Sequence, residues 1–191
     1  MRSAYAVENR RRRWFTGEEH TNMKLTIPSD AEEILRVLNE NGHEAYIAYS
    51  DGIPCSKGFK IGNRIDRKLH GFLSRISGKQ GYFSKRSTIK LIKWMATIKP
   101  DIIHLGNLHG NFINLPILFD YLARNDISTV ITLHDCWFYS GGHTHYFKDE
   151  FYDWRDGFSK QNRNKNKMGN PSWFFDKSEI LFRDQIKWFT N

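Results

Sequence analysis

The chain has 191 residues, of which 39% are hydrophobic and 15% aromatic, and its formal charge is +8. This hydrophobic content is enough for one buried core, so we expect one domain with peripheral additions. Cys55 and Cys136 lie far apart without paired spacing, which argues against a disulfide scaffold or a cysteine zinc site and favours a reducing cytoplasm. The charge leaves nucleic acid and an anionic membrane surface as candidate partners.

Residues 1–28 show neither a helical nor a strand period, and we predict that they form an irregular basic segment. Arg10–Arg13 followed by Trp14 and Phe15 has two interpretations. One is a solvated tail, and the other is a basic-aromatic anchor for phosphates or lipid headgroups. The buried strand that should precede the first helix of a doubly wound sheet is not visible in this segment.

Residues 29–135 alternate between helical and strand patterns, which predicts an α/β core with a parallel, doubly wound, Rossmann-like sheet. Functional groups of such sheets gather beyond the carboxyl ends of the strands. The predicted elements are a helix capped by Ser29-Asp30 and closed by Asn41-Gly42, a strand at 45–49, helices at 65–76 and 84–99, a strand at 102–105, a helix at 114–124 and a strand at 130–133.

Residues 136–191 are predicted to complete the same domain. The segment 136–158 reads as an aromatic, glycine-containing loop, and 160–167 is basic and too polar to be buried. A turn at 171–176 leads into a closing helix, whose inward residues should be Ile180, Leu181, Ile186 and Phe189.

Histidines and aspartates are concentrated in and after the central strand-helix-strand unit, and they could hold two metals that activate a water. They are His104, His109, His134, His143 and His145, with Asp101 and Asp135. Gly142–His145 and Gly106–His109 resemble motifs of calcineurin-like metallophosphoesterases, although that family's opening Asp-x-His and its bridging aspartate have no counterpart. A second alternative is nucleic-acid binding through Arg10–Arg13 and Lys160–Lys167, for which no recognised module pattern appears.

Several stretches resemble the N-terminal domain of family 4 glycosyltransferases, in particular the colanic acid, capsular and exopolysaccharide transferases. The resemblance covers about residues 31–190 and is most specific between Asn107 and Trp137. It is carried by Pro100–Phe119 (PDIIHLGNLHGNFINLPILF) and Thr132–Trp137 (TLHDCW), together with 42–49 (GHEAYIAY), 61–63 (IGN), 84–88 (SKRST) and 171–176 (PSWFFD).

This resemblance implies the N-terminal half of a GT-B fold and retaining, metal-independent sugar transfer from a nucleotide-activated donor to a saccharide or lipid-linked acceptor. His134 and Asp135 would be the catalytic pair beside the transferring sugar, where an imidazole and a carboxylate can hold hydroxyls and stabilise positive charge. Asn107, His109 and Gly110 would bind the acceptor. The alternative is that His134-Asp135 and His109 only close strand ends by hydrogen bonding.

The sequence departs from the family pattern in three places. Residues 1–28 lack the glycine-rich loop that approaches donor phosphates. His143–His145 and Tyr152–Arg155 occupy the region where related members carry cysteines. We also expect the donor-binding second domain to be missing, and therefore a chain that is truncated at both ends and inactive alone. A C-terminal glycosyltransferase half and an anionic membrane surface are its expected partners, nucleic acid and cofactors are not expected, and the expected location is the cytoplasm or the inner face of the plasma membrane.

Overall fold

The computed structural model describes residues 2–8, 30–52, 56–145, 157–158, 167–168 and 172–190. The strands are β1 (Arg2–Glu8), β2 (Glu44–Tyr49), β3 (Gly58–Lys60), β4 (Ile102–Leu105), β5 (Ser128–Ile131), β6 (His143–His145) and β7 (Lys167–Met168). The helices are α1 (Asp30–Glu40), α2 (Arg64–Ser77), α3 (Lys85–Ile98), α4 (Leu115–Arg124), α5 (Trp137–Ser140) and α6 (Ser178–Thr190).

The main sheet has five strands in the order β3-β2-β1-β4-β5, and every neighbouring pair is parallel. A separate antiparallel pair joins β6 to β7. The predicted α/β class with a parallel sheet is therefore confirmed. Since parallel strands end at the same edge of a sheet, the loops that follow β4 and β5 are brought together.

The N-terminal strand corrects the prediction that residues 1–28 are irregular, because Arg2–Glu8 forms the central strand of the sheet. Its backbone pairs with β2 on one side and with β4 on the other. Pairing on both sides satisfies backbone groups that a short isolated strand would leave to water, and this gain is invisible in a local pattern. The basic run Arg10–Arg13 lies outside the described residues.

The strand-helix-strand unit β4-α4-β5 has the predicted architecture. Leu115, Leu118, Phe119 and Leu122 are all buried along one face of α4, as their spacing predicts. The Asn114 side chain accepts a hydrogen bond from the backbone N–H of Ile117, which caps the helix start. β5 begins and ends two residues earlier than the predicted 130–133, because its register with β4 pairs the last β4 residue with Ile131.

Buried side chains pack on both sides of β2, in agreement with the period of a strand. Ile47 and Tyr49 join Ala31 of α1 in one cluster. Ala48, between them, belongs to the larger cluster that includes α3, β4 and α4. Leu91 and Ile103 in that larger cluster are fully buried, so it forms the principal core.

The region after β5 contains more regular structure than the predicted loop, since α5 and β6 lie within 136–158. The closing helix α6 is confirmed, but its inward face is not the predicted one. Leu181 is buried, whereas Ile180, Ile186 and Phe189 are more than 40% exposed. The buried Gln185 side chain instead anchors the helix, since it donates to the Trp137 carbonyl and accepts from the Gly141 N–H, both at 3.1 Å.

Among the described helices, none combines the length and the apolar character that crossing a membrane requires.

Candidate functional site

The loops after β4 and β5 bring His109 and Asp135 into direct contact. The distance from His109 Nε2 to Asp135 Oδ2 is 2.6 Å, and the two side chains are 22% and 17% exposed. The imidazole is poorly aligned for a regular hydrogen bond, so the contact is an ion pair when His109 is protonated. The two residues are far apart in sequence, and the parallel sheet makes them neighbours.

A closed set of hydrogen bonds holds this pair in place. Trp137 donates its backbone N–H to Asp135 Oδ1 at 2.9 Å and its indole N–H to Gln80 Oε1 at 2.8 Å. The Gln80 amide in turn donates to the His109 carbonyl at 2.8 Å. The Trp137 ring also lies against the imidazole, with 5.7 Å between ring centroids. Gln80 therefore links both strand-end loops, and no motif in the sequence had marked it.

The support beneath this site is buried and polar. Trp137 is fully buried, and Gln80 is only 5% exposed. The carbonyl oxygen of the next residue, Gly81, accepts a hydrogen bond from the backbone N–H of Leu115 at 2.7 Å. Gly81 has a φ of +86°. A Cβ at Gly81 would come within 2.7 Å of Leu115 Cδ1, so the close approach of this loop to α4 requires glycine. The α2–α3 loop is thus locked against the start of α4.

The two strand-end loops enclose a small pocket of about 10 Å³, which is roughly the space that one water needs. Asn107, His109, His134 and Asp135 are among the residues of its wall. Gly110 follows His109 in the same loop but lies outside the pocket wall. Within the described part of the chain, the buried Asn107 Oδ1 meets no hydrogen-bond donor. A buried oxygen of this kind marks a position where a hydroxyl or a water can donate.

His134 differs from Asp135 in its surroundings. Its side chain is exposed, and it lies close enough to His104 to affect that group. Burial lowers the pKa of His104, and His134 lowers it further. His104 Nε2 is also 2.7 Å from the Thr132 hydroxyl. The four predicted residues Asn107, His109, His134 and Asp135 therefore share one pocket, in which His109 and Asp135 are in direct contact.

A larger cavity of about 700 Å³ lies between α4, β5 and α6. Its wall includes Phe119, Ile131 and Trp188 and none of the predicted site residues. We place the candidate site at the smaller pocket, because the converging polar and titratable side chains are there.

The metallophosphoesterase alternative receives no support from the described residues. Across these ranges, no three histidine, cysteine, aspartate or glutamate side chains are grouped so that they could hold a metal. His143 is buried below α5, where its backbone exchanges hydrogen bonds with the Ser140 hydroxyl. The described part of the structure does not include the side chain of His145. It also does not include the segment Lys160–Lys167, apart from the backbone of β7.

A parallel α/β sheet with polar side chains gathered beyond its carboxyl ends is the arrangement of ligand-binding α/β domains. Residues 31–164, more than two thirds of the chain, match the family model described as Glycosyltransferase Family 4. The chain therefore belongs to glycosyltransferase family 4. No curated protein and no solved structure shows a significant similarity to it. Family membership supports a glycosyltransferase-type function in general terms.

Proposed function

We propose that the chain is the acceptor-side half of a GT-B glycosyltransferase with a doubly wound, Rossmann-like sheet. It would take part in moving a sugar from a nucleotide-activated donor to a saccharide or lipid-linked acceptor. By its resemblance to colanic acid, capsular and exopolysaccharide transferases, the process would be the synthesis of a cell-surface polysaccharide. A location at the cytoplasmic face of the membrane belongs to the same proposal.

The observation that carries this proposal is the convergence of Asn107, His109 and Asp135 on one pocket beyond the strand ends. A saccharide presents several hydroxyls that both donate and accept hydrogen bonds. The Asn107 oxygen can accept one of them, and the carboxylate of Asp135 can accept another while it holds His109. Because the pocket itself has room for about one water, the sugar ring would lie above it, with single hydroxyls pointing in.

The exposed His134 would stand beside the transferring sugar. A neutral imidazole can accept a hydrogen bond from a sugar hydroxyl there. The nearby Asp135 carboxylate can stabilise the positive charge that develops on the sugar. We propose that transfer retains the configuration of the sugar and uses neither metal nor cofactor. The donor diphosphate would be bound by a second GT-B domain, which is therefore the expected protein partner.

Binding of saccharides tests the acceptor role without requiring turnover. Saturation-transfer NMR of the purified chain with a panel of short oligosaccharides should show contact, and Asp135→Asn should lower the affinity by about tenfold, since a hydrogen bond to a charged group is lost. Asp120→Asn is the matched control, because this carboxylate is exposed on α4 and pairs with Arg124. Equal affinities for the two variants would contradict the assignment of Asp135.

Sugar transfer tests the need for the second domain. We expect little or no transfer when the isolated chain is mixed with labelled nucleotide sugars and acceptor, because the main electrostatic partners of the donor diphosphate would be missing. Robust turnover by these 191 residues alone would show that the donor site is already present and would refute the acceptor-half proposal.

A further inference from the structure

Helix α2 turns its apolar side away from the protein. Ile65, Leu69 and Phe72 lie four and three residues apart on one face, and they are 76%, 53% and 51% exposed. The polar residues His70 and Ser74 on the other side are buried. This is the reverse of a helix that covers a core, where the apolar stripe faces inward.

A second segment extends the same exposed surface. Trp173, Phe174 and Phe175 are 56%, 70% and 53% exposed, and the Trp173 ring lies edge-on to Phe72 at 6.0 Å between centroids. The Trp173 backbone N–H donates to the Arg75 carbonyl at 2.7 Å, which attaches this segment to the last turn of α2. We call α2 with residues 172–177 the aromatic-basic surface.

The charges of this surface are strongly one-sided. Arg64, Lys68 and Arg75 are exposed along one flank of the apolar stripe, and the Arg75 guanidinium lies 5.8 Å from the centre of the Trp173 ring. Residues 64–77 and 172–177, which make up this surface, contain five cationic and two acidic side chains, a net charge of +3. One of the cations, Arg67, pairs with Asp51 at 2.9 Å.

The two acidic groups of this surface are occupied by bonds to their own chain. Asp66 accepts from the Ser87 hydroxyl at 2.8 Å, and Asp176 accepts from the Ser178 N–H and hydroxyl. These hydrogen bonds hold the two carboxylates against their own chain but leave their charges in place, so the surface keeps a net charge of +3.

We propose that the aromatic-basic surface binds the interface of an anionic lipid bilayer. Such an interface accepts aliphatic and aromatic side chains at the level of the headgroups and attracts flanking lysine and arginine. Tryptophan is favoured at this depth because its ring is apolar and its N–H is polar. A second copy of the chain fits less well, because a symmetric contact would place two surfaces with a net charge of +3 against each other.

The proposal rests on the proposed function for its biological meaning, because it would bring a lipid-linked acceptor next to the loop after β4, which carries Asn107 and His109. α2 packs directly against that loop at Gly71, where an added Cβ would be 3.3 Å from the Asn111 amide nitrogen. The helix therefore has the bilayer on its apolar side and the candidate site on its polar side.

Vesicle flotation of the full chain tests the proposal. Vesicles of equal parts phosphatidylcholine and phosphatidylglycerol should bind the chain, and vesicles of phosphatidylcholine alone should bind it much more weakly. The double variant Ile65→Gln/Phe174→Gln should lower the affinity by at least about tenfold. Its control, Val37→Gln/Ile89→Gln, removes two exposed apolar side chains elsewhere and should bind like the unchanged chain.

The same flotation experiment tests the role of the positive charges. The double variant Arg64→Gln/Lys68→Gln should weaken binding to the anionic vesicles by about fivefold for each charge removed. Lys90→Gln/Lys93→Gln on α3 is the matched control and should have a much smaller effect. Equal losses in this control would show that only net charge matters and would overturn the proposal. Absence of vesicle binding would also overturn the proposal. If the chain bound no vesicles but self-associated in light scattering, and Ile65→Gln/Phe174→Gln abolished that self-association, the surface would be a contact between copies of the chain instead. Because no sugar transfer is measured, failure here is separate from failure of the acceptor role.

Discussion

Protonation of His70 should destabilise the protein below neutral pH. Its ring is 1% exposed, and its Nδ1 lies 2.9 Å from the Ser84 hydroxyl. Its Nε2 accepts the backbone N–H of Gly81 at 3.3 Å, which requires the neutral ring. A proton on Nε2 would face that N–H and loosen the loop that carries Gln80. Burial lowers the pKa of His70 to about 4, although Asp66 acts in the opposite direction.

The size of this effect follows from the two pKa values. In the unfolded chain the imidazole has a pKa of about 6.5, so below that pH the unfolded state binds a proton that the folded state resists. The free energy of unfolding that the neutral, buried His70 contributes is therefore complete above pH 6.5, and it is lost as the pH falls toward 4. Linkage gives a loss of about 2 kcal/mol at pH 5 and about 3 kcal/mol at pH 4.

Urea unfolding between pH 4 and pH 7.5 measures this loss, and His70→Gln provides the comparison. The variant removes the titrating group, so the difference between the two stability curves isolates His70 from the carboxylates that titrate in the same range. The unchanged chain should lose about 2 kcal/mol more than the variant on going from pH 7.5 to pH 5. Parallel curves would refute the reasoning, because they would mean that His70 titrates normally in the folded state.

Two further substitutions test the support of the candidate site. Gly141→Ala should lower the free energy of unfolding more than Gly42→Ala does. Both glycines have a φ between 70° and 80°, but a Cβ at Gly141 would collide with the Ser178 carbonyl, whereas a Cβ at Gly42 would meet open space. Equal free energies of unfolding for the two variants would contradict this packing. Gln80→Leu should lower the free energy of unfolding by about 2–4 kcal/mol, since it leaves the Trp137 indole N–H and a carbonyl unpaired. A loss below about 1 kcal/mol would show that these bonds contribute little.

The helix α4 shows what a local pattern can predict. Leu115, Leu118, Phe119 and Leu122 have the spacing of one helical face, and that face is buried. Asn114 has the side chain that a helix start needs, and it caps the helix. Both features depend on neighbours within four residues, so the sequence contains all the information that they require.

Helix α2 shows where the same reasoning reaches its limit. Its apolar spacing predicted a helix correctly, and the element covers Arg64–Ser77. The pattern does not say which surface the apolar side will meet, because that depends on how neighbouring elements use the available core. The buried side of α2 is set by the hydrogen bonds of His70 to the α2–α3 loop, which no periodicity displays.

The sequence by itself determined the alternation of helices and strands, the resemblance to the family, and the position of His109 and the His134-Asp135 pair at the strand ends. Only the tertiary structure decided that residues 2–8 form the central strand and that Gln80 joins the two strand-end loops. The physical reason is the range of the interactions. Helical periods and caps act over a few residues, whereas strand pairing and buried hydrogen bonds join distant parts of the chain that become neighbours only when the sheet forms.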